Sequence, residues 1–169
     1  MKVRIYLSIV WLVARFGPLL LALAACGEPV DYVLESGVGV ADQTGGKVSK
    51  QWLESVFSEI RDAAPAGEDW ARLDGVVLTI VDAPEVAHCA RGEAVGCATP
   101  EHIDVAYRPC AGELVQNTAG TIAHEVGHFF YGAGHAKAEW FGEYENGVQV
   151  GGGLERRLMS WQCSGNEIR

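Results

Sequence analysis

The chain has 169 residues, with 13 Lys and Arg against 22 Asp and Glu, a formal charge of −9 and a mean hydropathy of +0.08. That length suits one domain with enough chain to bury a core. So acidic a balance argues against nucleic acid or an anionic lipid surface as partner, and supports solubility.

In chain order, residues 1–25 read as a signal peptide and stay outside the fold. They open with Lys2 and Arg4, run apolar, and end in small residues before Cys26, the pattern of a secretory leader. A membrane span needs about 20 uninterrupted apolar residues, whereas Arg15 and Pro18 interrupt this run. Without the leader's Lys2, Arg4 and Arg15, 10 basic residues face 22 acidic ones and the charge becomes −12. Leu23-Ala24-Ala25-Cys26 resembles the lipobox of bacterial lipoproteins, in which the cysteine is diacylated and becomes the mature N-terminus. The resemblance implies export and a membrane attachment through lipid on Cys26, since several acyl chains anchor stably where one is marginal. By resemblance to lipoprotein sorting patterns, Gly27 in the following position, in place of Asp, implies the outer rather than the inner membrane, or the cell surface. The plainer alternative is an ordinary cleaved signal that happens to precede a cysteine.

Residues 26–46 form the anchored N-terminus and a first strand. GEPVDY (27–32) is a short tether, DYVLESGVGVAD (31–42) a possible strand with glycines, and DQTGGK a turn. From 48 to 61, Trp52, Val56 and Ile60 recur every four residues with Leu53 and Phe57 beside them, an amphipathic helix that ends before Pro65-Ala66-Gly67. GVVLTIVD (75–82) is a β-branched apolar run and reads as a buried central strand. Residues 83–101 read as loop. HIDVAY (102–107) alternates, with Ile103, Val105 and Tyr107 on one face, and reads as a half-buried or edge strand. A long helix is expected over 114–131, followed by a Gly-rich irregular C-terminal part. The sum is an α+β fold, a small mixed sheet packed on two main helices.

Cys89, Cys97, Cys110 and Cys163 in an exported chain read as two disulfides with three possible pairings. The preferred pairing is Cys89–Cys97, closing a short Gly-containing loop, with Cys110–Cys163 tying the approach to the long helix to the C-terminus. The alternatives are a metal site of Cys89, Cys97 and His88, or metal ligation by Cys110 and Cys163. His88 and His102 read otherwise as surface or loop histidines.

The long helix carries the chemistry, in TIAHEVGHFFYGAGH (121–135). At about 100° per residue, His128 falls about 40° from His124 and one turn along the same face. Asn117, Gly120, Thr121 and Tyr131 lie on that side, while Val115, Ala119, Ile122, Val126, Phe129 and Phe130 lie opposite. An apolar back on the core and a strip of small, polar and His residues facing a cleft is the expectation. Two imidazoles at i and i+4 can bind one Zn²⁺, with Glu125 as general base toward activated water.

A catalytic zinc has three protein ligands and one open position. HEVGHFFYGAGH resembles the metzincin metallopeptidases, whose pattern HExxHxxGxxH turns at the glycine so that a third histidine returns to the metal. Here Gly132 and His135 each fall one position later, with the Gly-to-His spacing kept. The resemblance implies His124, His128 and His135 as ligands of one catalytic Zn²⁺, Glu125 as base, and a zincin-type catalytic domain over 47–169. RRLMSWQ (156–162) resembles the family's methionine turn, which implies Met159 as the apolar floor beneath the metal. Trp161 stands where some members have a transition-state tyrosine, leaving Tyr131, Tyr144 or Trp161 as candidates for oxyanion support. A gluzincin-like peptidase would instead use Glu139, Glu143 or Glu145 as third ligand.

The function implied is a zinc peptidase acting on protein or peptide substrates, which an edge strand at 102–107 could bind by β-pairing. A non-catalytic metal-binding envelope lipoprotein is the alternative of another class. No oligomeric state is implied.

Overall fold

The computed structural model describes residues 29–86, 94–111, 116–145, 148–149 and 152–166. The expectations on the signal peptide, Cys26, His88, Cys89 and Val115 lie outside the described residues. Among the described residues no helix is long and apolar enough to cross a membrane.

The first expected strand is two. β1 (Tyr32–Val33) and β2 (Gly39–Gln43) pair antiparallel. Between them Gly37 takes φ 84°, a left-handed conformation that L side chains rarely adopt, and reverses the chain. α1 (Lys50–Ala63) follows, capped by the Ser49 hydroxyl on the Trp52 N–H. Its apolar stripe is wholly inside: Leu53, Val56 and Ile60 are fully buried and Trp52 and Phe57 nearly so. A 3-10 turn (Trp70–Leu73) leads into β3 (Val77–Val81), which runs parallel to β2, so β2-α1-β3 is a crossover unit.

β5 (His102–Ala106) pairs parallel with β3, and β4 (Gly96–Ala98) pairs antiparallel with β5. The order β1-β2-β3-β5-β4 makes a mixed five-stranded sheet. Two expectations are corrected here. The 102–107 strand is not an edge, because β4 covers it, and β-pairing of a substrate onto β5 is therefore ruled out. The edge position belongs to β4, inside a stretch read as loop. Gly96-Cys97-Ala98, followed by threonine and proline, carries little local β signal, and it is the ladder with β5 that makes it a strand.

α2 (Thr118–Tyr131) lies across the same sheet face as α1. Ala119, Ile122, Ala123 and Val126 meet Leu78, Ile80, Ile103 and Val105 in one core, all fully buried. The α+β expectation, with two main helices on a small mixed sheet, thus describes the fold. After α2 come a short helix α3 (Ala138–Phe141), a two-strand hairpin of β6 (Tyr144–Glu145) and β7 (Val148–Gln149), and α4 (Leu154–Cys163).

α4 overturns the expectation of an irregular C-terminus. Leu154, Leu158, Met159 and Gln162 recur at helical spacing with no Gly or Pro between, and all four are buried. The face carrying Glu155, Met159, Gln162 and Cys163 is stitched to the start of α2. Asn117, whose Oδ1 caps α2 on the Gly120 N–H, donates through Nδ2 to the Met159 carbonyl at 2.9 Å. The Ala119 N–H donates to Gln162 Oε1 at 2.8 Å. Cys110 and Cys163 form the expected disulfide, which excludes them as metal ligands. Cys97 is also disulfide-bonded. Trp161 packs on Trp52 with centroids 6.3 Å apart, joining α4 to α1.

The Cys110–Cys163 bridge spans 53 residues, and closing a loop of that size in the unfolded chain is worth about 4 kcal/mol. The double variant Cys110→Ser/Cys163→Ser is expected to unfold at lower denaturant by that amount, read from equilibrium chemical denaturation against the oxidised parent.

Candidate metal centre

His124 and His128 project from the second half of α2, one turn apart, with ring centroids 4.6 Å from each other. The helix stops at Gly132, whose φ of 76° and cap bond to the His128 carbonyl turn the chain away. His135 returns from that turn, its ring centroid 5.1 Å from His124 and 4.8 Å from His128. The helix continues through Tyr131 before Gly132 ends it. All three histidines can offer ligand atoms within 4.8 Å of one another. His135, not Glu139 or Glu143, is therefore third in the group; those two carboxylates are exposed and outside it. The side chains of Tyr144 and Glu145 lie outside the described part.

The ring nitrogens are sorted by their other partners. His124 Nδ1 lies 2.9 Å from Glu155 Oε2, and His128 Nδ1 lies 2.8 Å from the Gly132 carbonyl. Both acceptors take a proton from Nδ1, which leaves Nε2 as the lone-pair atom of each ring. His124 Nε2 and His135 Nε2 face one another at 3.3 Å. Two nitrogens at 2.0–2.1 Å on a tetrahedral ion stand about 3.3 Å apart. Three imidazoles, two with Nδ1 already committed, lie close enough together to bind one metal ion through ring nitrogens.

Phe141 forms the floor. It is fully buried and its ring lies 5.2, 4.8 and 4.8 Å from those of His124, His128 and His135. That is the place expected for Met159, which instead sits mid-helix in α4 against Gly120 at the other end of α2. The methionine turn is not a turn. Gly127, the glycine inside HEVGH, is what admits Phe141: a Cβ there would stand 2.9 Å from the ring's Cζ.

The expected open strip on α2 is half correct. Asn117, Gly120 and Thr121 share the histidine side but are buried, Asn117 and Gly120 beneath α4 and Thr121 against Gly96 of β4. The helix opens to a cleft only from His124 onward. This cleft, of about 750 Å³, is lined by His124, Glu125, His128 and His135, by β4, and by Arg72 at its rim. The Arg72 guanidinium lies over the Phe129 ring at 5.3 Å. Tyr131 and Trp161 do not line it. The Tyr131 hydroxyl donates to Glu68, and the Trp161 indole is at Trp52, so neither is an oxyanion donor here. His102, on β5, lines a different cavity with Asp104 and Thr79.

Glu125 is only 4% exposed, with Gly96 of β4 pressed against its side chain. Burial pushes its carboxyl up to about 7, with Glu155 and Asp104 adding to the rise and His124 opposing it. Burial disfavours charge on His124, but its bond to Glu155 outweighs that and raises its pKa. The same pairing holds Glu155 down in spite of its burial. Burial lowers His128 and His135, both also repelled by His124. Sequence reading missed Glu155 and Phe141; neither has a local signal, since each reaches the histidines from another helix.

Searches found no family model, no curated protein and no solved structure that matches this chain.

Gly127→Ala drives its Cβ into Phe141 and Trp140, and overpacking of this kind costs about 1–3 kcal/mol; thermal unfolding of the metal-free variant reads it. A second expectation concerns pH. Glu125 binds its proton more tightly folded than unfolded, so the metal-free chain loses stability as pH rises from its unfolded value of 4.5 to about 7. His128 and His135 work in the opposite sense, so the measurement is the difference in Tm between wild type and Glu125→Gln across that window. A flat difference would mean an ordinary carboxyl.

Proposed function

We propose that the chain is a zinc-dependent peptidase, exported and lipid-anchored at Cys26, acting on protein or peptide substrates. The observation that carries this reading is the convergence of His124, His128 and His135 beside the buried Glu125, at an open cleft. A purely structural zinc site closes its fourth position with Cys or His. Among the described residues no fourth such side chain joins this group.

His124, His128 and His135 would hold the ion through ring nitrogens. When bound, zinc supplies Lewis-acid polarisation of a carbonyl and acidification of water. Glu125 is the proton carrier: its carboxylate takes a proton from the attacking water and returns it to the leaving amine nitrogen, which an amide needs because the amine leaves poorly unprotonated. β4 with Thr99-Pro100 would line the cleft for the substrate, together with Gly132, Ala133 and His135. The wall near Glu125 is close because residue 96 is glycine, which keeps bulk solvent from the carboxyl. The likeness to metzincins is proposed for Glu125 and the three histidines alone, since Met159 does not support it.

Hydrolysis of casein, with zinc content by atomic absorption, tests the reading. Wild type is expected to bind one zinc and cleave. Glu125→Gln is expected to keep the zinc and lose about 10²–10⁴-fold in kcat, and His135→Ala to lose most of the zinc. Undiminished cleavage by Glu125→Gln sinks the assigned chemistry, and undiminished zinc in His135→Ala moves the third ligand elsewhere.

A further inference from the structure

We propose that Glu155 is the positioning carboxylate of this centre: it holds the proton of His124 on Nδ1, makes Nε2 the ligand atom, and so sets the metal affinity. The inference rests on the metal reading above and adds a residue outside its ligand set and its base.

Glu155 is 3% exposed, on α4, 31 residues from His124. Burying a carboxylate costs several kcal/mol unless it is fully partnered. Each oxygen has a partner: Oε2 is 2.9 Å from His124 Nδ1, and Oε1 accepts from Gln116 Nε2 at 2.8 Å. If Glu155 only fastened α4 to α2, a neutral amide would serve at lower desolvation cost. The same interface uses amides for that purpose, Asn117 on the Met159 carbonyl and Gln162 on the Ala119 N–H. The charged group is reserved for the position that faces the imidazole.

A carboxylate can only accept, so the ring must present N–H at Nδ1, and in its neutral form the lone pair is then at Nε2. Negative charge behind the ring also makes Nε2 a stronger donor to a cation. His128 differs, since its Nδ1 bonds a neutral carbonyl at Gly132. Gln116 fixes the other oxygen, so the carboxylate cannot rotate out of line with His124. Glu155 thus acts through His124 and touches no substrate.

Glu155→Gln is the informative change, because it keeps volume and the Gln116 bond while removing charge. Its amide N–H₂ can donate to Nδ1, which moves the ring proton to Nε2, where a metal must displace it. Two measurements on the whole chain follow. Long-range ¹H–¹⁵N spectra of the metal-free protein report the His124 tautomer, and zinc affinity is measured by competition with a chromophoric chelator. Loss of the Nδ1–H form together with about 10–100-fold weaker zinc, at a thermal midpoint close to wild type, is the expected result. Glu155→Asp should recover part of the affinity, while Glu155→Ala should lose as much as Glu155→Gln or more. Zinc affinity within about twofold of wild type, or weaker zinc with an unchanged tautomer and a lowered thermal midpoint, overturns the assignment. The two readings fail separately. If wild type binds zinc but cleaves no peptide, the peptidase reading falls and Glu155 stands; if wild type binds no zinc, both fall.

Discussion

Everything at this site depends on how closely other elements can approach the helix Thr118–Tyr131. Two of its residues are glycines, and a third glycine faces it from β4. A Cβ at Gly120 would overlap Met159, one at Gly127 would press on Phe141, and one at Gly96 would collide with Thr121 and Glu125. Each glycine admits one neighbour: α4, α3 and β4 in turn. Packing at interior density tolerates no such overlap without displacement. The consequence is chemical as well as steric. α4 at that distance brings Glu155 to His124, α3 puts Phe141 beneath three imidazoles, and β4 shields Glu125.

The second consequence is electrostatic. Two buried carboxyls lie beside three imidazoles that are half-buried or exposed, and their preferences conflict. Burial raises Glu125, holds His128 and His135 down, and leaves the Glu155–His124 pair as the one arrangement that favours charge. Lone pairs on facing Nε2 atoms 3.3 Å apart repel one another unless a proton or a cation lies between them. A bound metal ion would resolve that repulsion. In a chain of net charge −9, such a group is not a generic surface cluster, because its members are held from three separate elements.

Much of the scaffold was legible locally. The every-fourth-residue pattern of Trp52, Val56 and Ile60 predicted α1 because a one-sided apolar stripe has few other uses. The run at 75–82 predicted β3 for the same reason of burial. The helix carrying the histidines, and the pairing of His124 with His128, followed from i, i+4 geometry. Local signal misled where context overrode it. Gly96-Cys97-Ala98 became a strand through β5, and Glu155 to Gln162 became a helix despite its glycine-rich approach. The polar strip at Asn117 to Thr121 looked like cleft because it lacks bulk, but small residues also mark a surface another element covers.

The sequence by itself determined the spacing of His124 and His128 on one helix face and the α+β layering, both of which follow from periodicity carried by neighbouring residues. Only the tertiary structure decided that His135 rather than an acidic residue completes the group, that Phe141 rather than Met159 lies beneath it, and that Glu155 stands behind His124. Those three depend on the direction in which Gly132 releases the chain and on the depth to which α3 and α4 settle against α2. Both are set by contacts between residues distant in sequence, and no local pattern encodes them.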